Sequence, residues 1–485
     1  MRPRVAVIGG GISGLAAARQ LTQSAPSVEL ILLEAGSRIG GVLKTSRSDG
    51  FLIESAADNF LTNPPAAVEL CCSLGLEHSL IAPRKGLRHA FVVHKGQLQP
   101  IPEGFAVMAP SRLHPVLASP VLSVRGKLRM ALEYFIPRGR LRHDEALANF
   151  VRRRFGGEVL QRLVQPLVGA IYTADVEQLS LAAAMPQFRQ MEQEHGSLIR
   201  AMLVQRRKRP SGDRGSVRAG RFASLRDGMS SLIDALAQSV PEGSVELDSP
   251  VEHLMPLANQ RWLLSIGGAR PRTLEADGVI VATPAFRAAD MLESVDADAA
   301  GKLAEIEYVS SAIVALGYRR YQIRHPLDGP GFVVPLQEHR TILCCSFSSQ
   351  KYDGRASDGD VLLRIFIGGA CQSGLLRLPP AELIELAEQE VVQLLDIAGR
   401  PVFQQLTRHH RAMPQYRVGH CDLVQTIKQR LTHFPTLELA GNAYSGVGVP
   451  ACIQSGQVAA DRLLKHLNAH VDVLRATLTG IGTTV

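Results

Sequence analysis

The sequence predicts an α/β protein: a parallel nucleotide-binding sheet assembled from separated pieces of chain, a second mixed sheet, and an inserted helical region. Three observations carry this expectation. Residues 5–34 read as strand, glycine turn, helix, strand and acid; residues 106–204 place apolar side chains at helical spacing; and a strand at 437–440 runs through a second glycine-rich turn into a helix.

The first unit is "VAVIGGGISGLAAARQL" followed by "VELILLEA". Gly9-x-Gly11-x-x-Gly14 falls where the first strand meets the helix. Glycine there permits the tight turn, the close approach of backbone to a pyrophosphate and helix–sheet packing, and Glu34 sits where a carboxylate grips ribose hydroxyls. The second strand argues against reading the apolar start as a secretory signal. This unit marks a dinucleotide site and leaves NAD and FAD both open. "EAGSRIGG" then sets Arg38, Gly40 and Gly41 just past the second strand, where backbone amides can approach the extension of a longer cofactor.

Further along, 66–76 reads as a helix and "RHAFVVHKGQLQPIP" as a hairpin turning at Lys95 and Gly96. From 106 to 204 long helices are expected. In "ALANFVRRRFGGEVLQRLV" the positions Leu147, Phe150, Val151, Phe155, Val159, Leu160 and Leu163 form one apolar stripe, leaving Arg152, Arg153 and Arg154 as a solvated face. Residues 205–220 read as a basic, exposed linker. "VELDSPVEHLMPL", "RWLLSIGG" and "ADGVIVATPA" are strands, the last apolar enough to return to the buried parallel sheet. Segments between 305 and 370 alternate as a mixed sheet does, and "PPAELIELAEQEVVQLLDIAG" is an amphipathic helix ending near Gly399. In "LELAGNAYSGVGVPACIQSG" the glycines lead into a helix with Pro450 at its first turn, a second helix end whose amides face an anion.

Composition narrows the function. With 53 basic and 45 acidic residues the chain carries +8, yet sparse aromatics give no base-stacking platform, so nucleic acid is not expected. Seven cysteines without C-x-x-C, including the adjacent Cys71 with Cys72 and Cys344 with Cys345, read as reduced packing thiols in a cytoplasmic protein, with no metal site. No apolar run is long enough to span a bilayer, so a membrane would be touched from outside.

"GGGISGLAAA" with "LLEAGSRIGG" resembles the FAD fingerprint of flavin amine oxidases, phytoene desaturases and porphyrinogen oxidases. "LVQPLVGAIYTADVEQLSLAAAMPQF", "MEQEHGSLIRAM", "MPQYRVGH" and "GNAYSGVGVPACIQSG" resemble, in order, the protoporphyrinogen/coproporphyrinogen oxidase family over nearly the whole chain. The resemblance implies a Rossmann-type FAD-binding domain in three pieces (1–88, 221–287, 406–470), a mixed-sheet substrate domain (89–105, 288–405), and an inserted helical domain (106–204) associated with membrane surfaces. The linker at 205–220 and a tail at 471–485 complete the division. It further implies FAD-dependent oxidation of a porphyrinogen in haem biosynthesis, with O2 as acceptor giving H2O2. The substrate loses six electrons and a flavin holds two, so three cycles are needed. Expected partners are the porphyrinogen, O2 and the next haem-pathway enzyme.

By the same resemblance Gly9, Gly11, Ile12, Ser13, Gly14, Glu34, Ala35, Arg38 and Gly41 contact the ADP half of FAD and its extension. Val251 meets adenine through its backbone, and Val447, Gly448 and Val449 lie beside the isoalloxazine. "ESAADNFL" matches the flavin–substrate junction but has Ala56 and Ala57 where Gly-Pro is usual; Asp58 and Asn59 are its polar candidates. Ala451 replaces a usual Asp, which makes that helix end more positive. Arg88 and Arg221 are candidates for substrate propionates, while His409 and His410 read as strand residues near the pocket. The absence of an arginine from "DNFLTNPP" favours the bacterial coproporphyrinogen type. An amine oxidase or carotenoid desaturase is the second reading, weakened by only eight Tyr and one Trp for an aromatic cage, and a non-catalytic flavin-bearing porphyrin carrier is the third.

Overall fold

A computed structural model describes residues 2–87, 89–106, 108–110, 113–139, 144–208 and 221–480. Arg88 and residues 209–220 of the expected linker lie outside the described residues.

Five short parallel strands build the first sheet, in the spatial order Val245–Glu246, Glu29–Leu33, Arg4–Ile8, Gly278–Val281, Leu437–Leu439. Val5 pairs with both Leu30 and Gly278, and Val279 pairs with Leu437, so pieces far apart in sequence meet in register. The central strands are mostly apolar because both of their faces are covered: Val5, Val7, Leu32 and Ile280 pack on helices, while Ala6, Ile8, Leu33 and Val281 pack on Leu254, Trp262, Leu264 and Ile266 from further strands and on helices beside them. The helix Ile12–Ser24 lies against the terminal helix Val449–Gly480, with Leu15, Ala16, Ala17, Ala18 and Leu21 buried. Small residues set this approach: a Cβ added at Gly456 would stand 2.1 Å from the Ser13 carbonyl oxygen. The terminal helix continues to Gly480, so most of the stretch expected as a tail after 470 is helical.

Not every strand between 245 and 281 joins this sheet. Val251–Pro256, Trp262–Ile266 and Arg272–Ala276 form a separate antiparallel meander, pinned by a 2.9 Å hydrogen bond from the buried Trp262 Nε1 to Thr436 Oγ1.

The second sheet has seven strands in the order Phe403–Pro414, Tyr308–Arg319, Asp360–Gly368, Cys344–Phe347, Gly331–Val333, Phe91–His94, Gln97–Pro100. It is mixed because Phe91–His94 runs parallel to Gly331–Val333 and antiparallel to its hairpin mate. A boundary at 405/406 cuts this sheet: the edge strand Phe403–Pro414 pairs with Tyr308–Arg319 from Phe403 to Pro414, interrupted by one register shift. The amphipathic helix is Pro380–Leu395, closed by the left-handed Asp396 (φ 51) rather than near Gly399.

The region expected as long helices is instead a packed set of short ones. Gly156, at φ 93, ends Leu147–Arg154, and Leu160–Val164 takes a π turn before Gln165–Tyr172. The arginine face is also corrected. Arg152 pairs with Glu177 at the surface, but Arg154 is fully buried, paired with Glu133 and Glu192 and donating to the carbonyls of Ile136, Pro137 and Gly196. Neighbouring helices bring carboxylates to it, which a single helical pattern does not reveal. Among the described residues no helix is long and apolar enough to cross a membrane.

Candidate active site

The first glycine turn is shaped by backbone. Gly9 sits at φ 107, and a Cβ on Gly14 would fall 1.9 Å from the Gly9 carbonyl oxygen. A Cβ on Gly11 would meet nothing within 4 Å, so open space lies in front of this turn. The helix it introduces has no side-chain cap and no acid in its first turn. Its first N–H groups, without partners inside a helix, therefore face that space with the positive end of the dipole. Such a helix end has the chemistry to cradle a phosphate.

Glu34 closes the cradle on one side. Its carboxylate accepts from the Gly10 N–H at 2.6 Å and the Gly36 N–H at 2.8 Å. The Glu34 backbone carbonyl takes the Ser249 N–H at 2.9 Å, which brings the strand beginning at Val251 beside Glu34 and the exposed Ala35. On the other side Gly40 N–H bonds the Gly10 carbonyl, and a Cβ on Gly41 would stand 3.3 Å from Gly11 Cα. Arg38 donates to the carbonyls of Ile39, Gly41 and Leu43, clipping this loop shut on itself.

The second glycine turn comes to the same place. The Cys452 thiol sits against the Gly446 and Val447 carbonyls, and four residues on, Gly456 packs on Ser13 of the first helix. The turn through Val447, Gly448 and Val449 is held from behind. Tyr416 accepts the Gly446 N–H at 2.9 Å and donates to the Asn442 carbonyl. His420 stacks on Tyr416 with ring centroids 4.1 Å apart and meets the Ala443 carbonyl at 2.9 Å. A Cβ on Gly446 would lie 2.8 Å from that of Ala451, so both positions are small, and the helix opens without an acid in its first turn. Tyr416 and His420 belong to "MPQYRVGH", a stretch whose sequence carried the resemblance but assigned them no role.

A cleft of about 480 Å³ opens between the loop after Glu29–Leu33 and the edge strand Phe403–Pro414, lined by Arg38, Gly41, Lys44, Ser55, His409 and His410 among others. Among the described residues no carboxylate lines it. His409, half-buried, directs Nε2 at the Ser55 carbonyl, 2.6 Å away. Burial lowers its pKa, reinforced by Arg364 and opposed by that hydrogen bond.

The substrate candidates are dispersed. Asp58 is buried and committed to Lys351 and Arg364, so the expected pocket carboxylate is not presented to the cleft. Burial pushes its carboxyl up, but the two cations outweigh burial and bring it down to about 2. Asn59 is half-buried beside it. Arg221 is exposed, its guanidinium over the Phe222 ring and its carbonyl accepting the Thr62 N–H. Lys351, Arg355 and Arg364 were not legible as site residues, because single cations at a helix end, in a loop and in an apolar strand carry no motif. Among the described residues no group of side chains is placed to hold a metal ion.

Known proteins share this architecture. A family model for flavin-containing amine oxidoreductases matches residues 12–464. A coproporphyrinogen III oxidase of Bacillus subtilis is 32% identical over 96% of this chain and 99% of its own length. One from Propionibacterium freudenreichii is 34% identical over 94% and 90%. The crystal structure of a provisionally named protoporphyrinogen oxidase from Exiguobacterium sp. superposes with a TM-score of 0.82 at 29% identity, covering 95% of this chain and 98% of that one.

Proposed function

The chain belongs to the flavin-containing amine oxidoreductase family, and on that premise we propose that it oxidises coproporphyrinogen III to coproporphyrin III with dioxygen as terminal acceptor. Its cofactor is FAD, which when bound accepts two electrons at a time. The observation that carries the proposal is the approach of two glycine turns, Gly9 to Gly14 and Gly446 to Gly448, through Gly456 on Ser13. Full-length similarity to coproporphyrinogen III oxidases supports the substrate.

In this reading the amides of Gly11, Ile12, Ser13 and Gly14 hold the pyrophosphate, Gly9, whose own N–H bonds the Leu33 carbonyl, shapes the turn, and Glu34 with Ala35 orients the ribose. Val251 offers its backbone to adenine. Arg38 and Gly41 shape the wall along the cofactor's extension, and Val447, Gly448 and Val449 flank the ring end. The unbalanced positive lining of Arg38 and Lys44 suits an anionic ligand. Arg221 and Arg88 are assigned to the substrate propionates, and Asn59 to the polar wall of the substrate pocket. His409 serves as a neutral wall residue, its Nε2–H held on Ser55.

Each cycle removes two electrons and two hydrogens from the porphyrinogen, and one dioxygen takes them up as H2O2; three cycles complete the aromatic macrocycle. The product passes to the next enzyme of the haem pathway. We assign the protein to the cytoplasm, resting on a membrane face. The helix Val124–Ala131 and the turn after it expose Val124 (73%), Leu128 (63%), Leu132 (55%) and Phe135 (75%) beside Arg125, Lys127 and Arg138, while Glu133 of the same stretch is buried and Glu158 is bound to Ser123 and Arg162. Such a face suits anionic lipid. The substrate assignment is tested by initial rates: the rate constant with coproporphyrinogen III exceeds that with protoporphyrinogen IX, and the reverse order refutes it.

A further inference from the structure

We propose that Asp58, Lys351 and Arg364 form a positioning and redox-tuning cluster for the flavin site, a role that rests on the reading above. Asp58 Oδ2 lies 2.9 Å from Lys351 Nζ and 3.3 Å from Arg364 Nη1. Asp58 sits on the connection between Phe51–Glu54 and Phe60–Leu61, whereas Arg364 belongs to a central strand of the seven-stranded sheet and Lys351 to the short helix Ser348–Lys351 beside it. The cluster therefore bridges the nucleotide half to the second sheet.

The 55–58 turn is gripped at further points. Arg364 donates to the Ala56 carbonyl, His409 to that of Ser55, and Ser224 Oγ to that of Asp58 at 2.5 Å. Arg355, almost fully buried, donates in turn to Ser224 Oγ at 2.8 Å. Ser55 stands in the cleft wall with Arg38 and Gly41. The turn has alanines where the related pattern has Gly-Pro, and these contacts fix its path from outside.

Charge does not cancel here. Three cations, Lys351, Arg355 and Arg364, face two carboxylates, Asp58 and Glu54, and burial favours the neutral form of Glu54. The Nε–H groups of Arg355 and Arg364 have no acceptor among the described residues. Buried charge is weakly screened by salt. An excess of positive charge beside a group that gains negative charge on reduction stabilises its reduced form.

The test is a dye-equilibrated reductive titration of the purified FAD-loaded protein, without substrate. Asp58→Asn removes one negative charge at nearly constant shape and is expected to shift the flavin midpoint potential to more positive values. Lys351→Gln removes a positive charge from the rim of the cluster and is expected to shift it the opposite way, with Asp58→Glu returning towards the parent. Loss of packing does not produce shifts of opposite sign. Unchanged potentials, or shifts of one sign in both variants, overturn the proposal; Lys351→Gln stands alone as the test if Asp58→Asn does not fold. Opposite shifts in a protein inert to porphyrinogens would count against the function reading and leave this inference standing.

Discussion

Gly14 has no room for a methyl group, since its Cβ would fall 1.9 Å from the Gly9 carbonyl oxygen. Gly14→Ala is therefore expected to part the first strand from its helix, costing about 1–3 kcal/mol of stability and releasing FAD on gel filtration; retention of stoichiometric FAD would contradict the cradle. Arg154→Met tests the buried pair with Glu133. Removing one partner leaves a buried charge, so chemical denaturation should show a loss of about 3–5 kcal/mol. At this scale the sequence was informative where geometry is imposed by backbone: Gly9, Gly11, Gly14 and Glu34 sit at fixed offsets from a strand. It was uninformative where charge meets charge across the fold. Asp58 reads as a pocket residue and Arg154 as a surface one because their partners, Lys351, Arg364 and Glu133, lie in other elements.

The strand Leu437–Leu439 holds a titratable group at the sheet edge. Burial raises the Glu438 carboxyl from 4.5 to about 7, opposed only in part by Arg462 and Lys428. The folded state thus binds this proton more tightly than the unfolded chain, and stability falls as pH rises from about 4.5 through 7. Glu438→Gln removes that loss, so its stabilising effect should be greater at pH 8 than at pH 5; an equal effect at both would refute the assignment. Elements with one strong local signal were legible: the hairpin turning at Lys95 and Gly96, the helix opening at Pro380, the strand Gly278–Val281. The helical insert was not. Its apolar stripe runs unbroken through Phe155, but Gly156 at φ 93 turns the backbone there, and periodicity alone does not register a break that keeps the same side chains buried.

Across the whole molecule, function depends on chain segments that sequence order keeps apart. The parallel sheet draws on residues 4–8, 29–33, 245–246, 278–281 and 437–439. Repeated glycine turns made this assembly legible, whereas the extent of the second sheet was not, because Phe403–Pro414 is half-exposed and joins it as an edge. The exposed face around Val124 and Phe135 gives a prediction at this scale: the protein should sediment with anionic vesicles more than with neutral ones, and Leu128→Glu with Phe135→Glu should abolish the difference. The central claim is that both glycine turns serve one FAD that takes electrons from a porphyrinogen. Anaerobic mixing of the purified protein with coproporphyrinogen III tests it most directly. The account predicts that the flavin bleaches, that air restores its colour, and that three H2O2 form for each porphyrin released. A flavin that stays oxidised in the presence of bound porphyrinogen would contradict it.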